Sequence, residues 1–574
     1  MVMAALLWAI ASCIVLPRVT SAAELCGGPS REQAWWGLSL PLLASVPSVE
    51  LGKAAMLLAA MALIWICTIL MYWAAPGGNA WGRLPRPSSI PGPRGWPVIG
   101  SLMDMSGLAH VRLAQLASKC SACSLMAFSL GDTRVILTSA PDVAREILNS
   151  SSFADRPIKA SARQLLFDRA IGFAPFGSHW RNLRRIAATH LFMPKRIAAH
   201  EHHRQQETSF MLNSVSAAMS LNGVIPLRIY LQRASLNNIM GSVFGRTYDF
   251  SSSSGEAEKL QAMVKEGFDL LGAVNWADHL CWFGGVFDVL RIKQRCDALV
   301  ADVKDFVQRI INEHRMQKFA ENKSDGEADF VDALLGLDDS DKLSDADMIA
   351  VLWEMVFRGT DTTAILTEWI IAEIILHPEV QLRLQVEIDS VAGPAGELSE
   401  GDLPKLPYLQ AVIKESLRMH PPGPLLSWAR LAINDVHVAG HHVPAGTTAM
   451  VNMWAITRDS SIWAEPNVFK PERFLVSEGG QDVDIRGGDL RLAPFGAGRR
   501  VCPGRALGYA TVQLWVARLV QQFTWASHPE HPVDLTELLK LSCEMKYPLH
   551  ACATPRSQYH PKSTAGKTGL LITF

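Results

Sequence analysis

From about Asp345 to Leu376 the chain carries a run that is apolar on nearly every side of a helix: Ile349, Val351, Leu352, Trp353, Met355, Val356, Ile365, Leu366, Trp369, Ile370 and Ile371. A helix with no polar face has to cross a core, so the body must be built around it. Ser344 with Asp347 three residues on resembles a capping box, with Asp in place of the usual Glu, and Pro378 stops the run. In its middle stands Gly359-Thr360-Asp361-Thr362-Thr363. Buried polar groups are costly when unpaired, so such a step needs a reason. Taken alone, hydroxyls bonding back to the preceding turn would supply one.

Nearer the C-terminus lies Phe495-Gly-Ala-Gly498-Arg-Arg500-Val-Cys502-Pro-Gly504. Each residue type there has a task if the cysteine is the axial thiolate of a haem iron. A thiolate pushes electron density onto iron and favours cleavage of an O–O bond. It stays deprotonated where backbone N–H groups and a helix N-terminus lie close. Gly498 and Gly504 let the backbone turn and approach a flat macrocycle. Arg500 suits a propionate as a two-pronged partner. Phe495 provides an apolar cover for the sulfur. A buried cysteine in a glycine-rich turn is the plainer reading, and five agreeing positions weigh against it.

Other pairs stand at helical or turn spacing. Trp180 and Arg184 lie four apart, on one helix face. Glu415 and Arg418 lie three apart, and Pro471-Glu-Arg473-Phe474 follows. Pro91-Gly-Pro93-Arg-Gly95-Trp-Pro97 is stiffened by its prolines and turned by its glycines.

The cysteine loop matches every fixed position of Phe-x-x-Gly-x-Arg-x-Cys-x-Gly, and so resembles the signature of the haem-thiolate monooxygenases, the cytochromes P450. The resemblance runs from about Trp81 to Leu549 and is strongest for plant microsomal enzymes. Phe357-Arg358-Gly359-Thr-Asp-Thr is similar to the KLUH-like family associated with organ and seed growth. Arg358 stands where most other families carry Ala or Gly, so substrate geometry from those families does not transfer.

The resemblance implies a mainly α fold with small β-sheets, preceded by an N-terminal transmembrane helix. It implies haem on Cys502, with Trp180, Arg184, Phe495, Arg500 and Gly504 around it. Asp361 and Thr362 would move protons to the oxygen being reduced, and Glu415, Arg418 and Arg473 would hold up the cysteine loop. The chain has no dinucleotide fingerprint or flavin domain, so electrons would come from a membrane NADPH-dependent flavoprotein reductase. Arg181, Arg185, Arg499 and Arg505 are candidates for docking it. The expected reaction is hydroxylation of a small apolar substrate with dioxygen, a fatty acid being favoured. Ile158 to Phe173, Trp353 to Phe357 and Pro422 to Trp428 are the candidate substrate-lining stretches. A haem isomerase that needs no reductase is a rival, but such relatives tend to lose the distal Thr. A haem sensor or carrier is another, disfavoured by retention of both relay residues.

Basic and acidic residues number 54 and 55, a balance that argues against nucleic-acid binding. The ten cysteines are scattered, unlike a disulfide scaffold, and Cys120-Ser-Ala-Cys123 lacks the second pair a zinc site needs. His200, His202 and His203, with Glu201 and Arg204, read as a solvated helix face.

Ala54 to Ala75 has no charge and is long enough to span a bilayer. Tyr72 and Trp73 suit the interface, and Arg83, Arg86 and Arg94 beyond it predict that the following body faces the cytosol, at the endoplasmic reticulum. Met1 to Leu16 is a second apolar stretch, with small residues near Thr20 to Ala23 that fit a cleavage site. The expected organisation is a leader and lumenal segment over 1–53, a membrane helix over 54–75 and a hinge over 76–97. The haem domain follows over 98–555, and a polar tail over 556–574. Asn149 and Asn322 match the glycosylation pattern and are expected to be bare. Met126–Leu130 and Thr133–Thr138 read as a hairpin, and helices dominate from Trp180 to His420.

Overall fold

The computed structural model of the protein describes residues 48–85, 88–250, 255–280, 291–318, 328–393, 396–426 and 429–556. The expected leader, Arg86, residues 251–254, the Asn322 sequon, Trp428 and the tail from 557 on lie outside them. The chain divides into two units after Thr68.

Helix α1, Ser48–Trp73, has one stretch, Lys53–Trp73, long and apolar enough to cross a membrane. Leu57, Ile64 and Leu70 on it are exposed. It ends two residues before the apolar run does, where Pro76, Gly77 and Gly78 break the helical pattern and both glycines take φ near 80°. Trp73 donates its indole N–H to the Gly95 carbonyl at 2.8 Å.

The Pro/Gly segment is docked rather than a loose hinge. Trp81 is fully buried and donates its indole N–H to Phe128 O at 3.0 Å. The Ala127 N–H donates to Pro91 O at 2.9 Å. A side chain on Gly92 would put Cβ 1.8 Å from Ala127 O, so only glycine permits this approach.

The hairpin forms as expected. Strands β1 (Met126–Leu130) and β2 (Thr133–Thr138) pair antiparallel around Gly131-Asp132, with Leu130 opposite Thr133. Helix α2 is Ser178–His190, α3 Glu201–Asn222 and, after strand β3 (Ile225–Pro226), α4 Leu227–Phe244. Helix α5, Asp345–Leu376, is the central element, and most of its side chains are buried. Ser344 Oγ accepts the Asp347 N–H at 3.2 Å, which gives the expected N-cap. Helix α4 crosses α5 at Gly359, where a Cβ would lie 2.4 Å from Ile239 Cδ1. Ser235 on α4 donates to Gly359 O at 3.2 Å across this crossing. Helix α6 is Pro407–Met419.

Short strands follow: β4 (Arg430–Leu431), the β5–β6 hairpin (Val436–Val438, His441–Val443) and β7 (Thr448–Val451). β7 joins β2 in parallel and β4 on its other side, giving the order β1-β2-β7-β4. Helix α7, Arg505–Gln522, starts directly after the cysteine loop. Strands β8 (Phe523–Ser527), β9 (Glu537–Leu539), β10 (Cys543–Met545) and β11 (His550–Pro555) complete the described chain. The architecture is mainly α with small sheets, as expected.

The helix face read as solvated differs. Arg204 on α3 is 1% exposed, paired with Glu400 at 2.6 Å and donating to Ile197 O at 2.6 Å. His203 Nε2 lies 3.1 Å from Asn237 O. Charge letters alone suggested solvent, but a distant acid, Glu400, gives this arginine a buried partner.

Candidate active site

Cys502 sits at the N-terminal end of α7 on the wall of a cavity of about 280 Å³. Its own N–H donates to Phe495 O at 2.9 Å, which closes the loop into a compact turn. Gly498 holds φ at 66°, and a Cβ there would lie 2.0 Å from Leu148 O, so the loop can pack on the Leu148 turn only as glycine. Gly504 has a different task. Its φ is −85°, open to any residue, and a Cβ would press on the Phe192 ring at 3.3 Å. Its N–H serves the sulfur as a hydrogen-bond donor. Burial pushes the Cys502 thiol up; Arg358, the Gly504 N–H, Arg184 and Arg505 pull it back. The protein's groups only partly offset that burial, and a coordinated metal cation would favour the thiolate further.

The opposite wall is α5, through Glu354, Arg358, Gly359 and Thr362. Thr362 faces the cavity. Asp361 does not line it. Its carboxyl points to a polar cluster of Gln232, Arg228, Lys540 and Glu544, and is pushed up to about 7 by burial first and by the Glu544 charge second.

Trp180 and Arg184 come from α2, as the spacing required. Trp180 Nε1 donates to Ile171 O at 3.0 Å and Arg184 Nη1 to Val501 O at 3.0 Å. Arg500 donates Nε to Ala154 O at 2.9 Å and Nη2 to Ala174 O at 2.8 Å. Its guanidinium stacks over Trp180 at 4.1 Å. Glu415, Arg418 and Arg473 are brought together, away from the cavity lining. Arg418 meets Glu415 with two prongs at 2.7 and 2.8 Å, and Arg473 Nε donates to Glu415 Oε1 at 3.0 Å.

Residues that the motifs did not single out complete the cavity. Arg156 and Arg430 line it with Arg184, Arg358 and Arg500, and Glu354 is the one acid among them. Arg430 is 4% exposed and donates Nη2 to Ala497 O at 3.0 Å. Its Nε and Nη1 have no partner among the described residues. Burial, then repulsion by Arg500 and Arg184, pushes it down to about 9. Burial and the charges of Arg430, Arg500 and Arg358 likewise depress Arg156. The one signal in the sequence is an arginine inside an otherwise apolar stretch, Trp428 to Ala432. Asp155, 3.6 Å from Arg500, adds a second carboxylate nearby, yet the guanidiniums still outnumber the acids, an imbalance that bound anions would relieve. A haem brings two carboxylates, and the donor set of guanidiniums beside one sulfur fits it.

The model of the family "Cytochrome P450" matches residues 90–548. The chain belongs to the cytochrome P450 family. It is 55% identical to cytochrome P450 78A11 of Oryza sativa subsp. japonica, across 92% of this chain and 97% of that one. It is 53% identical to cytochrome P450 78A7 of Arabidopsis thaliana, across 92% and 99%. A trimethyltridecatetraene synthase of Zea mays is 34% identical across 90% and 97%. A zebrafish cytochrome P450 solved with abiraterone superposes with a TM-score of 0.66 at 27% identity, over 78% of this chain and 99% of that one. The KLUH-like resemblance read from Phe357-Arg358-Gly359 is this 78A group. As a P450, the chain is a haem monooxygenase. The Cys120–Cys123 pair is not among the possible metal-holding groups of the described residues, and both thiols are free.

Proposed function

We propose that the protein hydroxylates a small apolar substrate, a fatty acid being the favoured class, in plant growth control. One observation carries the reading: a single cysteine shares its cavity with five arginines and one glutamate. Haem bound there supplies dioxygen activation and insertion of one oxygen atom into a C–H bond. Cys502 would ligate its iron, with Phe495 shielding the sulfur and the Gly504 N–H donating to it. Trp180, Arg184, Arg430 and Arg500 would hold the propionates, sharing their donors between carboxylates and the backbone carbonyls they already meet.

Thr362 holds a hydroxyl at the distal face, and Asp361 feeds it protons from the polar cluster behind α5. A carboxyl near 7 is matched to that task, because it both gives and regains a proton near neutral pH. Glu415, Arg418 and Arg473 keep the cysteine loop rigid. An NADPH-dependent flavoprotein reductase delivers the electrons. Its docking face includes Arg181 and Arg499, which flank the Phe176 ring at 5.7 and 5.6 Å. Helix α1 anchors the body to the endoplasmic reticulum, with the catalytic part in the cytosol. A glycan on Asn149 would contradict that orientation. Reconstitution with reductase and NADPH, a lipid extract and mass analysis tests the reading: oxygenated products are expected, and none forms if it is wrong.

A further inference from the structure

Glu354 stands on α5 one turn before Arg358, and the motifs leave it unexplained. It is a carboxylate 2% exposed, and such a group needs partners. Its Oε1 accepts the Gly172 N–H at 2.7 Å. The carbonyl of that same peptide group, Ile171 O, accepts Trp180 Nε1 at 3.0 Å and Arg500 Nη1 at 3.4 Å. One peptide plane therefore joins the distal helix, α2 and the cysteine loop. Gly172 cannot be replaced without disturbing the joint: a Cβ there would lie 2.4 Å from Glu354 Oε1 and 2.8 Å from Arg358 Nη1. Much of the segment is apolar, and Phe167 lies 5.1 Å from the Phe357 ring on α5. Arg169 also reaches α5, through Asp347 at 2.9 Å, but from a half-exposed side chain, whereas the Glu354 bond is buried and holds the part of the segment that lines the cavity.

We propose that Glu354 is a positioning residue that latches segment 165–177 over the cavity and so limits the size of molecule that reaches the Cys502 face. The inference rests on the haem reading of that cavity. Arg358, beside the carboxylate, favours its charged form, against the burial that pushes this carboxyl up.

Hydrogen exchange on haem-loaded protein tests the latch. Glu354→Ala is expected to speed exchange of peptides covering 165–177 at least tenfold, and Gly172→Ala to act in the same direction. Glu354→Gln should fall between, because its amide oxygen still accepts the Gly172 N–H. Peptides from α6 should not change. Spectral titration with imidazole and the larger 4-phenylimidazole gives a second reading. In Glu354→Ala the ratio of the two dissociation constants should move several-fold toward the larger ligand. Unchanged exchange over 165–177 in both Glu354→Ala and Gly172→Ala overturns the latch. A uniform rise across all peptides does so as well, since it marks general loosening. Failure of the haem reading shows separately, as a wild type without the thiolate spectrum of its reduced carbon monoxide complex, and the exchange contrast is still read in that protein.

Discussion

Two clusters of arginine, one lining the cavity and one gathered on Glu415, are built to opposite rules. Arg418 and Arg473 share Glu415, and their remaining donors are filled by carbonyls. Arg418 Nη1 reaches Thr457 O at 2.8 Å and Pro466 O at 2.7 Å, and Arg473 Nη1 reaches Ala464 O at 2.8 Å. On the cavity side Arg430 keeps two donors without partners among the described residues, and Arg156, Arg184 and Arg500 press on it with like charge. A guanidinium with every donor filled is architecture. One left short, among others of the same sign, is a place for an anion.

The contrast can be broken by removing one arginine from each cluster. Arg418→Leu leaves Glu415 with a buried charge and half its partners. It should destabilise the protein by about 3–5 kcal/mol, with or without haem, by chemical denaturation. Arg430→Leu should do the reverse to the haem-free protein, leaving its stability unchanged or raised. It should weaken haem retention about tenfold to a hundredfold, the loss of a charge-assisted bond of about 1.5–3 kcal/mol. If both variants lose the same stability in the haem-free state, the two clusters do not differ in kind.

Asp361 sharpens the picture on the far side of α5. Its folded value of about 7 lies above its ordinary value of 3.8, so the native state binds the extra proton. Stability from this group is therefore full at low pH and falls as pH rises from about 4 to about 7. Asp361→Asn should flatten that slope in melting temperatures taken across the window, and should remove a fall in turnover above pH 7. The smallest effect expected is on reductase docking. Raising salt from low to physiological strength should slow electron transfer by a modest factor, because exposed charges are screened. Neutralising Arg181 and Arg499 should blunt that dependence.

Much of this was legible in the letters, for physical reasons. An all-round apolar helix can only be central, so α5 was placed with its cap and its stop. The cysteine loop was legible because each residue type there answers a different demand of one ligand. Glu415 and Arg418 were legible by spacing, and Arg473 only through the resemblance. Arg430 and Arg156 were not, because what marks them is the company they keep across the fold. Arg204 was misread for the same cause: its acid, Glu400, is far away in sequence. Gly504 was assigned a turn, yet its backbone is ordinary, and its work is to leave room for Phe192 and to donate an N–H. Asp361 and Thr362 are neighbours in sequence and face different sides of their helix, a separation that adjacent letters on a helix imply.

The most direct test is the spectrum of the reduced carbon monoxide complex, taken on the wild type and on Cys502→Ala. A long-wavelength Soret band of a thiolate-ligated haem in the wild type, absent from the variant, is the predicted result. The same band surviving in Cys502→Ala would place the ligand elsewhere and contradict the account at its root.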